Sequence, residues 1–158
     1  MTPIFTFVAY SNTGKTTYIE SVIAELSSRG VRVAAVKHDG HRLELDKEGK
    51  DSWRFAKAGA KMVAVSSEDC CAIMEYRHVD FWDIIGSIHD VDVIIVEGWH
   101  AVAPNKIAIY RSTSGKPIKI DPAECIAVVS DVEIDSAGAP LLPLGDPNPM
   151  ADFIMNRI

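Results

Sequence analysis

Apolar residues along this chain fall into short unbroken runs separated by stretches of helical period. The first run, "IFTFV" from Ile4, ends in a polar loop and reads as a buried strand. From Lys15 onward Ile19, Val22, Ile23 and Leu26 recur at i, i+3, i+4 and i+7, a single apolar stripe that "SSRG" ends at Gly30. "VRVAAVK", residues 31–37, follows as a second strand and completes the crossover that a parallel sheet requires. Further Val- and Ile-rich runs at 62–67, 70–76, 91–98, 106–111 and 125–131 read as strands. Helices are expected at 51–58, stopped by Gly59, and at 81–89. A last one is signalled by Asn148 as cap, Pro149 at the first helical position and Met150, Phe153 and Ile154 on its apolar side. The alternation predicts an α/β fold: a mostly parallel sheet flanked by helices, with an antiparallel hairpin at 62–76, in one domain spanning 1–158.

Composition narrows the function. A length of 158 residues suits one core that buries roughly 70% of the unfolded surface. Acidic residues outnumber basic ones, 22 to 16, for a net charge of -6, which disfavours a nucleic-acid footprint while allowing a local basic pocket. Cys70, Cys71 and Cys125 form no C-x-x-C pair, and their odd number argues against a disulfide framework. Adjacent on a strand, Cys70 and Cys71 are expected to pack rather than react. No apolar run reaches the length of a membrane span and no signal segment opens the chain, so a cytoplasmic protein without membrane attachment is expected.

The chemistry centres on "AYSNTGKTT", a phosphate loop between strand and helix, which makes the expected fold P-loop NTPase-like. Backbone amides of Ser11, Asn12, Thr13 and Gly14 curl around phosphate oxygens in such a loop, Lys15 reaches the β/γ-phosphates, Thr16 offers its hydroxyl to Mg²⁺ and Thr17 donates to the α-phosphate. Ala9 replaces the usual opening glycine, and Asn12 stands where related loops often carry another. Both are tolerable provided position 9 keeps negative φ, since Asn adopts left-handed conformations readily. Open α/β sheets collect ligands at strand carboxyl ends, and "DVIIVEGWH" delivers Glu97 there as a Mg²⁺ or water-orienting group, with Asp92 at the far end. In "AVKHDGH", Lys37 adds charge near the phosphates. His38, Asp39 and His41 lack the further ligand pair a metal cluster needs. Asp51 caps the helix at 51–58 or reaches Mg²⁺ as a switch residue. Lys15, Asp51 and Glu97 are the catalytic candidates, Thr16, Asp51 and Glu97 the metal ligands. Arg54 is the nearest arginine on offer for transition-state charge.

"SNTGKTT", "VKHDGH" and "GKDSWRFAKAGA", followed by "VDVIIVEGWH" and "IAVVSD", resemble the molybdopterin-guanine dinucleotide biosynthesis protein B family over nearly the whole chain. The resemblance implies a GTP-binding, weakly GTP-hydrolysing homodimer that uses Mg²⁺. It would assist a molybdenum cofactor guanylyltransferase in attaching GMP to molybdopterin, itself a further candidate ligand. The pattern also looks like the wider group that includes dethiobiotin synthetase, which keeps a small-molecule kinase or ATP-dependent carboxylate-activating enzyme as the alternative. Guanine preference is not legible. The N/T-K-x-D base reader is absent, since "NKIA" has Ala108 where Asp is needed, and Ser130 or Asp131 either reaches a base or simply ends a strand. Runs at 62–76 or 106–120 are the edges expected to pair in a dimer.

Overall fold

A computed structural model describes residues 1–38 and 46–158. The chain divides into two compact units, one comprising Met1–His38 and Ile85–Ile158, the other Asp39–Ile84.

The first unit is built on a six-stranded sheet. Its strands are β1 (Ile4–Val8), β2 (Val33–Lys37), β5 (Val93–Glu97), β6 (Lys106–Tyr110), β7 (Ala127–Ser130) and β8 (Leu141–Pro143). They lie in the order β2-β5-β1-β6-β7-β8, every pair parallel. Two helices of this unit, α1 (Lys15–Ser28) and α4 (Asn148–Met155), share one core with the sheet. Val22 and Leu26 of α1 and Met150 and Ile154 of α4 are fully buried there with Phe5, Phe7, Ile95 and Ile107. Residues of the opposite face, Ile4, Val8, Ile94, Val96 and Ala108, are buried as well, so the strands are apolar on both sides as in crossover-built sheets. Gly30, at φ 82°, ends α1 as the sequence leads one to expect. Arg29 then ties the helix to α4, donating to Glu25, Asp152 and Asn148.

The second unit contains α2 (Asp51–Lys57) and an antiparallel hairpin of β3 (Met62–Ser66) with β4 (Cys71–Glu75), the hairpin expected at 62–76. Helix α3 (Phe81–Gly86) joins the two units and is shorter than the periodicity predicts. Cys70 and Cys71 are exposed rather than packed. Two further expectations are corrected. β8 was not predicted because it is only three residues long and ends in Pro143. β6 lies inside the sheet between β1 and β7, so it offers no edge for pairing.

Asp92 does sit at the far end of β5, where its carboxylate takes the Arg32 guanidinium at 2.7 and 3.1 Å and the Arg32 backbone N–H at 2.8 Å. These bonds hold its pKa down at about 2. A depressed folded-state pKa contributes stability above the unfolded value, and that contribution is lost as pH falls through the folded one. Asp92→Asn is therefore expected to lower the melting temperature slightly at pH 7. The difference from the parent should shrink as pH falls from about 4 toward 2, and a difference that is as large at pH 2 as at pH 7 would contradict the assignment.

Candidate nucleotide site

The loop after β1 is shaped by its backbone. Asn12 at φ 65° and Gly14 at φ 84° both occupy the left-handed region, and between them Thr13 is buried, its hydroxyl donating to the Tyr10 carbonyl at 2.8 Å. Asn at position 12 thus meets the conformational demand a glycine would meet. Ala9 keeps negative φ and is 3% exposed, its methyl part of the core, so the missing opening glycine costs the loop nothing in conformation.

Two cations fasten the loop from outside. Arg111, directly after β6, donates through Nε to the Thr13 carbonyl at 2.8 Å, and Lys116 donates to the Ser11 carbonyl at 2.8 Å. Lys116 and Lys119 also lie over the Tyr10 ring. A Cβ at Gly14 would stand 2.8 Å from the Arg111 guanidinium, so this glycine is required by both φ and space. With the carbonyls engaged, the amides are left over. Among the described residues no backbone N–H from Ser11 to Thr17 has an acceptor in the protein. Helix α1 begins at this point with no side-chain cap and no acidic residue in its own first turn, so no residue of the helix itself offsets the positive end of its dipole.

Lys15, Thr16 and Glu97 converge. Lys15 Nζ pairs with Glu97 Oε1 at 2.9 Å, each side chain 17% exposed, and the Thr16 hydroxyl lies 3.5 Å from Glu97 Oε2. The meeting follows from the sheet order, because β5 lies between β1 and β2 and Glu97 is the cross-strand neighbour of Phe7 and Lys37. Lys37 therefore belongs to the same strand-end cluster. A hydroxyl and a carboxylate at one point form a hard-oxygen donor set, which fits Mg²⁺.

Next to this cluster Gly98, at φ 94°, brings the chain against His38, where an added Cβ would stand 2.8 Å from both the His38 Cβ and its carbonyl. Trp99 then stacks on the His38 ring, centroids 4.2 Å apart. The "VKH" and "EGWH" stretches thus form one structure. Burial, with the charges of Lys119, Lys106 and Lys15, holds the His100 imidazole below its usual pKa.

Asp51 opens α2 in the second unit, 3.5 Å from Arg54, and lines a hollow of about 610 Å³ with Ser52, Phe55, Val63 and Ser66. Arg54 pairs with Asp51 there, and among the described residues Arg111 touches the loop after β1. The rule that located Glu97, a polar residue directly after an apolar strand, also picks out Arg111 after "KIAIY". Asp131 accepts from the Ser112 N–H and hydroxyl at 2.8 and 2.9 Å, so it closes a turn, and the buried Ser130 hydroxyl accepts from the Val132 N–H. Asn105 donates to the Ile4 carbonyl at the start of β1, the end of the sheet away from the loop. Asp39 and His41 lie outside the described residues.

Comparison with known proteins gives the family and the fold. The profile of the family described as "MobB: Molybdopterin guanine dinucleotide synthesis protein B" matches residues 4–131. The chain is 35% identical to the molybdopterin-guanine dinucleotide biosynthesis adapter protein of Escherichia coli over 98% of this chain and 93% of that one. The adapter protein of Haemophilus influenzae is also 35% identical, covering 98% of this chain and 88% of the relative. Among solved structures, that of Bacillus subtilis MobB superposes with a TM-score of 0.78 at 27% identity, covering 99% of this chain and 98% of that one. The chain belongs to the MobB family of molybdopterin-guanine dinucleotide biosynthesis proteins.

Proposed function

We propose that the protein is a GTP-binding adapter in molybdenum cofactor biosynthesis, assisting a guanylyltransferase that joins GMP to molybdopterin. The observation that carries the nucleotide part is the run of acceptor-free amides from Ser11 to Thr17 at the uncapped start of α1, with Lys15 beside it. The pathway comes from the relatives, whose names place them in molybdopterin-guanine dinucleotide biosynthesis.

In this reading Ser11, Asn12, Thr13 and Gly14 cradle the β-phosphate through their amides, and Lys15 exchanges Glu97 for phosphate oxygens. Thr16 and Glu97 would hold Mg²⁺, which neutralises phosphate charge when bound. Lys37 adds positive charge at the same strand ends, and Asp51 is proposed as the switch residue of the second unit. In this reading hydrolysis is slow, and Arg111 holds the loop through the bond of its Nε to the Thr13 carbonyl. A cytoplasmic setting suits a GTP-dependent step, and among the described residues no helix is long and apolar enough to cross a membrane.

A second copy of the chain is the proposed occupant of the hairpin face. Met62 and Ile73 on one face of the hairpin are 53% and 62% exposed, and Val65 and Tyr76 on the other 47% each, large apolar side chains that a sheet normally covers.

Lys15→Ala is expected to weaken Mg·GTP binding at least tenfold, roughly the loss of one charge-assisted hydrogen bond, with an unchanged melting temperature. Equal affinities in a calorimetric titration would remove the loop from the site. For Glu97→Gln the expectation is narrower: GTP still binds, but added Mg²⁺ no longer strengthens binding, and a Mg²⁺ titration matching the parent's would exclude Glu97 from the ion. Ile73→Asp is expected to shift the protein from dimer to monomer in sedimentation. A dimer that survives it would place the interface elsewhere.

A further inference from the structure

Beyond Thr17, on the side away from Lys15, the loop and helix open onto a shallow cleft whose walls include Tyr18, Ser21, Arg111, Gly145 and Pro147. Tyr18 is 4% exposed, yet its hydroxyl has no hydrogen-bond partner among the described residues. A buried hydroxyl without a partner is costly, and a ligand in the cleft would supply one. Burial, with the charge of Asp146 added, raises the Tyr18 pKa, so the phenol stays protonated and can donate.

Asp146 lies at the rim between two cleft residues. Its Oδ1 accepts from the Asn148 backbone N–H at 2.9 Å and from Asn148 Nδ2 at 2.8 Å, while Oδ2 takes no bond among the described residues. The same bonds hold the carboxyl below its usual pKa, so it is ionised at neutral pH. An ionised carboxylate with one open oxygen suits an edge carrying neighbouring N–H donors, as guanine does at N1 and its 2-amino group. It repels the lone pair that adenine presents at N1. Because the cleft is shallow, a base would lie across it toward the rim.

Resting on the phosphate-loop reading above, we propose that this cleft takes the nucleoside end of a guanine nucleotide, with Asp146 reading the N1–H and 2-amino edge and the Tyr18 hydroxyl donating to the ligand from the wall. Thr17, the residue expected at the α-phosphate, joins the two parts, so one extended molecule spans both.

The test is calorimetric titration of the whole protein and of Asp146→Asn with GTP, ATP and xanthosine triphosphate, each with Mg²⁺. Asparagine keeps an oxygen to accept from Asn148, so the start of α4 is retained. Its amide N–H meets the 2-carbonyl of xanthine in place of the amino group. The parent is expected to prefer GTP. The variant should lose GTP affinity about tenfold or more, gain xanthosine triphosphate, and bind ATP at least as well as the parent does. Tyr18→Phe keeps the ring in the core and should weaken GTP several-fold with little change in melting temperature. If the parent binds GTP but Asp146→Asn leaves the ratio of GTP to xanthosine triphosphate unchanged, the base-reading role is overturned while the phosphate site stands. Unchanged GTP affinity in Tyr18→Phe removes the cleft itself, and a parent that binds no triphosphate overturns both readings.

Discussion

The site depends on how the loop after β1 distributes its backbone hydrogen bonds. Arg111 and Lys116 take the carbonyls of Thr13 and Ser11, and left-handed Asn12 and Gly14 turn the chain between them. Among the described residues the amides that remain have no acceptor. Such groups are stable only when solvated or bound, and at the start of an uncapped helix they favour an anion. Both cations come from the segment after β6, so the neighbouring strand's loop maintains the geometry of the phosphate loop.

The strand order explains why these groups meet. With β1 flanked by β5 and β6, Glu97 emerges on one side of the loop and Arg111 on the other. Glu97 pairs with Lys15 and lies within reach of Thr16. In the proposed reading, a triphosphate that draws Lys15 away from Glu97 would free the carboxylate for a cation and so link occupation of the loop to metal binding. Asp146 depends on a different neighbourhood: Asn148 donates to it while accepting from Arg29, so the rim of the cleft is braced through α4 to the end of α1.

Much of this was legible in the sequence because it was local. The apolar stripe of α1, its stop at Gly30, the strand-tip Glu97 and the hairpin follow from periods of 3.6 and 2 and from turn chemistry. Asn12 announced its left-handed conformation by residue type. What escaped was non-local or too short to show a period. β8 is three residues beside a proline, and Arg111 and Lys116 matter through carbonyls about a hundred positions earlier. Tyr18 reads as an ordinary core side chain, because only the packed structure shows that its hydroxyl lacks a partner among the described residues. Asp131 illustrates the converse: its place at a strand end leaves a base reader and a simple turn equally open, and only the packed structure shows its bonds to Ser112.

The most direct measurement is calorimetric titration of the purified protein with GTP, with and without Mg²⁺. The account predicts one saturable site per chain whose affinity rises when Mg²⁺ is added. Heats indistinguishable from dilution under both conditions would mean that the open amides from Ser11 to Thr17 do not serve a nucleotide, and the central claim would fail.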